Sequence, residues 1–185
     1  MFFTELITSG MDISIVFETV DSELLVYYHD AMSSGLQFQG LNVAQYEKPI
    51  RKLIQRTGAK TLLDYGSGLG HQYSQKGIHK RWGVAEPICY DPAVTKFSKK
   101  PEGVFDGVIC SDVLEHVPEP LVDALIEELF SYSTKFVWAS VCARPAKKTF
   151  PDGRNMHVTL HPLTWWQLKF FKHAAGRLHM LVETP

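Results

Sequence analysis

The stretch "LLDYGSGLGHQY", residues 62–73, decides the fold. Its first residues have the character of a buried strand. Glycine then falls at every second position, Gly66, Gly68 and Gly70, with the acid Asp64 just ahead. A glycine turn between a strand and a helix lets a ligand approach the backbone without meeting a Cβ. Dinucleotide sites use that device as G-x-G-x-x-G, with a pyrophosphate resting on the helix N-terminus. Here the third glycine arrives one residue early, in G-S-G-L-G, and Asp64 puts negative charge where a phosphate would be repelled. An acid in that position suits a cationic ligand.

Working outward, "ICYD" (88–91), "FDGVIC" (105–110) and "KFVWASV" (135–141) are short, nearly continuous apolar runs bounded by turn residues. Strands of a parallel sheet covered on both faces have that character. Between the last two, "PEPLVDALIEELFSYS" (118–133) places Leu121, Leu125, Leu129 and Tyr132 on one helical face. Its early Glu119 suits the positive end of the helix dipole. Strand and helix in alternation predict a doubly wound, mostly parallel, Rossmann-like α/β sheet with right-handed crossovers. Upstream, Val43, Tyr46, Ile50, Leu53 and Ile54 recur at three- and four-residue spacing and predict an amphipathic helix stopped by Gly58. Pro49 either kinks it or starts a second helix. Asp21 or Ser22 caps an earlier helix reaching about Met32, ended by "SSG" at 33–35. The tail reads as a strand around His157–Leu160, a helix over Leu163–His173 and a last strand near Leu178–Thr184. The expected organisation is one domain, 1–185: a helical segment (1–58), a ligand-binding core (59–141), then a substrate loop with a terminal helix and strand (142–185).

Composition narrows the function classes. The 19 basic and 20 acidic side chains nearly cancel, so bulk charge points to neither nucleic acid nor an anionic membrane as a partner. Cys89, Cys110 and Cys142 form no CxxC pair and read as free thiols in a reducing compartment. "MFFTELITSGMDISIVF" (1–17) has no basic start and carries Glu5 and Asp12, unlike a signal peptide or a spanning helix. A soluble, cytoplasmic protein is expected.

D-Y-G-S-G-L-G, followed in order by "FDGVICSDVLEHVPEP" (105–120), resembles the first and fourth-strand motifs of the class I methyltransferases, which bind S-adenosylmethionine. The second motif has the D-x-L-E-H form common in their small-molecule and lipid branch. The likeness spans roughly residues 60–141. More loosely, from Tyr46 through "DGRNMHVTLHP" to Trp166 the chain is similar to short methyltransferase-domain proteins of bacteria and phages. The resemblance implies that Gly66, Ser67, Gly68 and Gly70 line the methionine part of the cofactor, with Asp64 near its amino group. It implies that Asp91 binds the ribose hydroxyls, a role open to a carboxylate because it can accept both protons. The plainer reading of Asp91, ahead of Pro92, is a turn-starting acid.

The chain departs from the family in two places. Thirteen residues, Pro92–Val104, separate Asp91 from the next strand, where helix, strand and helix would need on the order of thirty. We therefore expect the third, edge strand to be missing. The family's adenine-contacting acid then has no counterpart, leaving Ser111 and Asp112 to supply part of that contact. At the end, the usual antiparallel hairpin has only one strand's worth of residues, with "HVTL" (157–160) available to pair with it.

The expected activity is methyl transfer to a small, anionic acceptor such as a sugar or metabolite hydroxyl. The alternative is a catalytically inactive S-adenosylmethionine-binding partner of another protein. Base-directed amino methyltransferases carry N/D-P-P-Y/F where this chain has S-D-V-L, and no cysteine follows a proline as cytosine C5 chemistry needs. His116 and His157 are the candidates for acid–base work. His157 and His161 would stand roughly 13 Å apart on a strand, too far for one ion, so no metal site is expected. "ARPAKKTFPDGRN" (143–155) holds Arg144, Lys147, Lys148 and Arg154 against Asp152, and reads either as a grip on an anionic substrate or as solvated surface. Trp165, Trp166 and Phe170 read as packing rather than a ring platform. The oligomeric state is open.

Overall fold

The computed structural model describes residues 26–28, 30 and 38–184. Five strands, β1 (Leu62–Tyr65), β2 (Ile88–Tyr90), β3 (Phe105–Ser111), β4 (Ser133–Val141) and β5 (Leu178–Glu183), form one all-parallel sheet in the order β2-β1-β3-β4-β5. The helices are α1 (Glu47–Thr57), α2 (His71–Ser74), α3 (Ile78–Trp82), α4 (Glu119–Ser131) and α5 (Leu163–Ala174). Single 3-10 turns lie at Asn42–Tyr46, Thr95–Phe97 and Leu114–His116.

The period of two along each strand explains why both faces are covered. Leu63, Val108, Cys110, Val137 and Ala139 pack with Leu121, Leu125 and Leu129 of α4 and Trp166 and Phe170 of α5. Their neighbours Leu62, Ile109, Phe136 and Trp138 pack with Ile50, Leu53 and Ile54 of α1 and Ile78 and Trp82 of α3. The fold is the doubly wound α/β sheet that strand–helix alternation predicts. Trp166 and Phe170 are fully buried, as packing requires.

Local chemistry sets the element ends. Pro49 is the third residue of α1, where its missing N–H has no intrahelical acceptor to lose. The segment before it is the 3-10 turn, so the proline belongs to the start of a second helix rather than to a kink. Gly58 closes α1 in the left-handed conformation, φ +63°, which costs glycine nothing. Arg81 of α3 clasps the Glu47 carboxylate through Nε and Nη2 at 2.7–3.0 Å, tying the two helices.

Between β2 and β3 the chain makes only the Thr95–Phe97 turn, so among the described residues β2 is the sheet edge and no further strand lies outside it. The tail differs from expectation. Residues 157–160 are not a strand; they run beside the Leu114–His116 turn, where Thr159 N–H donates to Glu115 O (3.1 Å) and its hydroxyl to Val117 O (2.6 Å). These bonds spend the backbone that a "HVTL" strand would have needed. β5 instead pairs in parallel with β4, from Phe136↔Leu178 to Val141↔Glu183, because α5 returns the chain to the same end of the sheet. Of the expected helix ending at Met32, residues 26–28 and 30 are helical and the rest lies outside the described residues. Among the described residues no helix is long and apolar enough to cross a membrane.

Candidate functional site

The strand order reverses at β1, which has β2 on one side and β3 on the other. Ligands of such sheets bind in the crevice outside the carboxyl ends of the strands at that point. There the glycine turn, Asp91 and the segment after β3 meet.

The turn is locked to the loop after β2. Gly66 and Ser67 donate their N–H groups to Tyr90 O (2.8 and 3.1 Å), and Gly68 N–H donates to Asp91 Oδ2 at 2.8 Å. Asp91 Oδ1 accepts the Ala93 N–H at 3.0 Å. Burial raises the Asp91 carboxyl above its ordinary range, against these two donors. Each oxygen keeps a second lone-pair direction. Asp91 is thus a bracket between two loops as well as a candidate diol acceptor.

Asp64 is 1% exposed. Its Oδ2 accepts Gln72 Nε2 at 2.6 Å, and Oδ1 is buried with no hydrogen-bond partner among the described residues. Burial pushes the carboxyl up to about 7. A buried carboxylate with an orphaned oxygen is short of a positive partner, which is the deficit a ligand ammonium would fill.

The glycines answer a packing demand that the motif alone does not reveal. A Cβ on Gly68 (φ +56°) would lie 2.6 Å from Phe38 O, and one on Gly66 (φ +75°) 2.3 Å from the Val113 side chain. Phe38, Gln39 and Gly40 accept the N–H groups of Leu69 (3.1 Å), His71 (3.2 Å) and Gln72 (2.9 Å) through their carbonyls. The donors that a phosphate would need on this turn are therefore occupied by the chain itself, a second argument against a pyrophosphate site.

At the end of β3, Ser111 Oγ is hydrogen-bonded to Ser140 Oγ at 3.0 Å. Asp112 is a non-glycine residue at φ +54°. Its carboxylate accepts Asn42 Nδ2 and Ser140 Oγ, both at 2.9 Å, together with the Thr184 hydroxyl. Both side chains are engaged within the protein, while their position at the strand end stays where the motif puts it. Strained backbone of this kind concentrates at functional sites.

The next turn carries Glu115 and His116, and the 156–161 segment brings His157 to them. The two imidazoles stand edge to face with centroids 4.8 Å apart. His116 Nδ1 lies 2.9 Å from Met156 O and 2.9 Å from Tyr28 Oη, and His157 Nδ1 lies 2.6 Å from Arg144 O. A carbonyl carries no proton, so in a neutral ring Nδ1–H donates to it and Nε2 has the lone pair, with the Tyr28 hydroxyl donating to Met156 O at 3.3 Å. Burial, then the neighbouring His157, lowers the His116 imidazole to about 4, so it is neutral at ordinary pH. Glu115 is fully buried; Oε1 accepts the Cys142 N–H at 2.9 Å and Oε2 has no partner among the described residues. Burial, then Asp112, pushes its carboxyl up to about 8.

His161 is not part of this group: its Nε2 is 2.9 Å from Glu119 Oε2 and its ring stacks on Trp165. The basic loop forms a small hairpin, with Thr149 bridged to Asn155 and Phe150 N–H donating to Arg154 O at 2.8 Å. Arg144, Lys147, Lys148 and Arg154 are exposed, and Arg154 Nε meets Asp152 Oδ2 at 2.6 Å. Phe150 and Met156 anchor the loop against Tyr27, Tyr28 and Phe38, the last of which also bonds the glycine turn.

Sequence reading missed Glu115, Gln72, Tyr28 and the 38–40 segment. Glu115 stood inside D-V-L-E-H without a role because its histidine partner lies far along the chain. A buried acid after a strand end, next to a histidine, was the available signal. A scan against protein-family models and a search of curated proteins each return no match for this chain.

Proposed function

We propose that this chain binds S-adenosylmethionine at the carboxyl ends of β1, β2 and β3 and directs its methyl group to a small acceptor hydroxyl. The observation that carries the reading is the joint between motif and acid. The glycine turn and Asp91 leave adjacent parallel strands and are bonded to each other, Gly68 N–H to Asp91 Oδ2 at 2.8 Å. The glycine turn, packed on one side by residues 38–40, and a carboxylate able to accept a diol thus sit at one strand-end crevice. Asp64 supplies the negative charge beside it.

S-adenosylmethionine brings an already activated sulfonium methyl. What is left for the protein is to hold, align and exclude water. Asp91 orients the ribose through the lone pairs its backbone bonds leave over. Asp64, with one orphaned oxygen, holds the ammonium. His116 and His157, on the far side of β3, are assigned to handling the acceptor. Lys147 and Lys148, exposed on the anchored hairpin, meet an anionic group on that acceptor.

Isothermal titration with S-adenosylmethionine, its demethylated product and NAD tests the reading. Heat from the first two and none from NAD is expected; silence from both sulfur ligands sinks it. A second reading, a cofactor binder without turnover, is favoured by His116, whose imidazole burial lowers to about 4 and so leaves a weak base. Labelled S-adenosylmethionine incubated with the protein and cell extract separates the two. Label in a small extract molecule marks the enzyme, and binding without any labelled product marks the partner.

A further inference from the structure

We infer that Glu115, His116 and His157 form a binding site for a divalent first-row transition-metal ion. One ligand atom from each lies within 4.8 Å of the other two. Around an ion with bonds of about 2.0–2.1 Å, tetrahedral ligand atoms stand roughly 3.4 Å apart, so closing by at most about 1.4 Å completes the site.

Three observations beyond proximity point to a cation. The first is the tautomers. Both Nδ1–H groups are directed to backbone carbonyls, Met156 O and Arg144 O, which leaves both Nε2 lone pairs for a ligand. Metal-binding histidines are held in this way, with the other ring nitrogen donating to a carbonyl or carboxylate. The second is the orphaned, buried Oε2 of Glu115, whose sister oxygen alone is occupied, by the Cys142 N–H. The third is charge. A neighbouring acid, Asp112, raises the cost of charge on Glu115, and no ion pair to Glu115 is found among the described residues. A fully buried carboxyl beside a second carboxylate, without a cation, is a costly arrangement unless something positive enters.

The donor set selects the metal. Two imidazoles and one carboxylate suit zinc, cobalt, iron or manganese rather than magnesium or calcium, which prefer oxygen throughout. Three protein ligands also leave a coordination position open, of the sort that takes a substrate oxygen. That use rests on the methyl-transfer reading; the ion site itself does not.

The test uses the full chain, stripped with a chelator, titrated with cobalt(II) by visible absorption and with zinc by calorimetry, in the absence of S-adenosylmethionine. One ion per chain is expected, with cobalt bands typical of four- or five-coordination and a melting temperature that rises with zinc. Glu115→Gln, which keeps the acceptor for Cys142 N–H, and His157→Gln should each weaken binding by more than about 100-fold, since losing a mere hydrogen-bond partner of a ligand already costs about 10- to 100-fold. Tyr28→Phe should cost about tenfold, and His161→Ala nothing. No cobalt binding by the wild-type chain, or unchanged binding in both ligand variants, overturns the site. Magnesium binding in preference to zinc overturns the assignment by donor type. Cofactor titration of the same samples is scored separately, so loss of the methyl-transfer reading leaves this result standing.

Discussion

At the scale of single residues, the site is decided by what each buried carboxyl is bonded to. Asp91 illustrates the coupling of structure to function. Asp91→Ala would orphan the Gly68 and Ala93 N–H groups as well as remove the proposed diol acceptor. We expect stability to drop by about 1–3 kcal/mol and S-adenosylmethionine affinity to fall by about 1.5–3 kcal/mol, roughly 10- to 150-fold. Chemical denaturation reads the first and calorimetry, well below the melting temperature, the second. An unchanged dissociation constant in the folded variant would leave Asp91 a structural bracket only. Gly68 shows the reverse coupling: a motif position whose glycine is demanded by the backbone of Phe38 before any ligand is considered.

At the scale of elements, close approach and loop anchoring govern. Gly107 of β3 is set where a Cβ would lie 2.3 Å from the Phe136 ring and 2.9 Å from the Leu62 side chain. Both neighbours are core residues without room to retreat, so Gly107→Ala should destabilise by about 1–3 kcal/mol, the usual range for overpacking. Urea denaturation checks it, and an unaltered midpoint would mean the ring can move. The 143–155 hairpin is a different case, since its apolar anchors face inward and its cations face out. Neutralising Lys147→Ala with Lys148→Ala should leave the fold and cofactor affinity intact. Once an acceptor is identified, the double variant should raise KM in a manner that salt masks in the wild-type chain. Normal KM at low salt would make the hairpin ordinary surface.

At the scale of the whole molecule, buried acids shape stability against pH. Asp64 has its pKa raised from 3.8 to about 7 by burial, opposed by the nearby Tyr73 hydroxyl, which makes no hydrogen bond to it, and by the Gln72 amide, with Asp91 adding to the shift. A raised carboxyl pKa means that the folded state holds the proton more tightly than the unfolded state. Stability from this group is therefore full below about pH 4, declines as pH climbs, and levels off above about 7. At ~1.4 kcal/mol per unit the decline amounts to about 4 kcal/mol. Asp64→Asn, which preserves an acceptor for Gln72, should flatten the slope and raise the melting temperature at pH 8 while leaving it near the wild-type value at pH 4. Thermal denaturation across that interval tests it; parallel curves would show that Asp64 does not titrate there. Saturating S-adenosylmethionine should flatten the wild-type slope too, because a ligand ammonium favours the ionised carboxylate.

The sequence by itself determined the five sheet strands, the amphipathic α1 and α4, the left-handed stop at Gly58 and the strandless connection between β2 and β3. Each follows from periodicity, turn chemistry or chain length within a few residues, where the backbone responds to its immediate neighbours. Asp64, the glycines and Asp91 were legible for the same reason, since their positions follow from the strand ends. Only the tertiary structure decided the rest. That residues 157–160 lie along a turn instead of forming a strand depends on Thr159 meeting Glu115 and Val117, more than forty residues earlier. That His157 stands against His116, and that residues 38–40 cap the glycine turn, depends likewise on which loop settles over which strand end. Such contacts leave no period in the chain, because they are set by the packing of segments distant in sequence that share a crevice only once the sheet has formed.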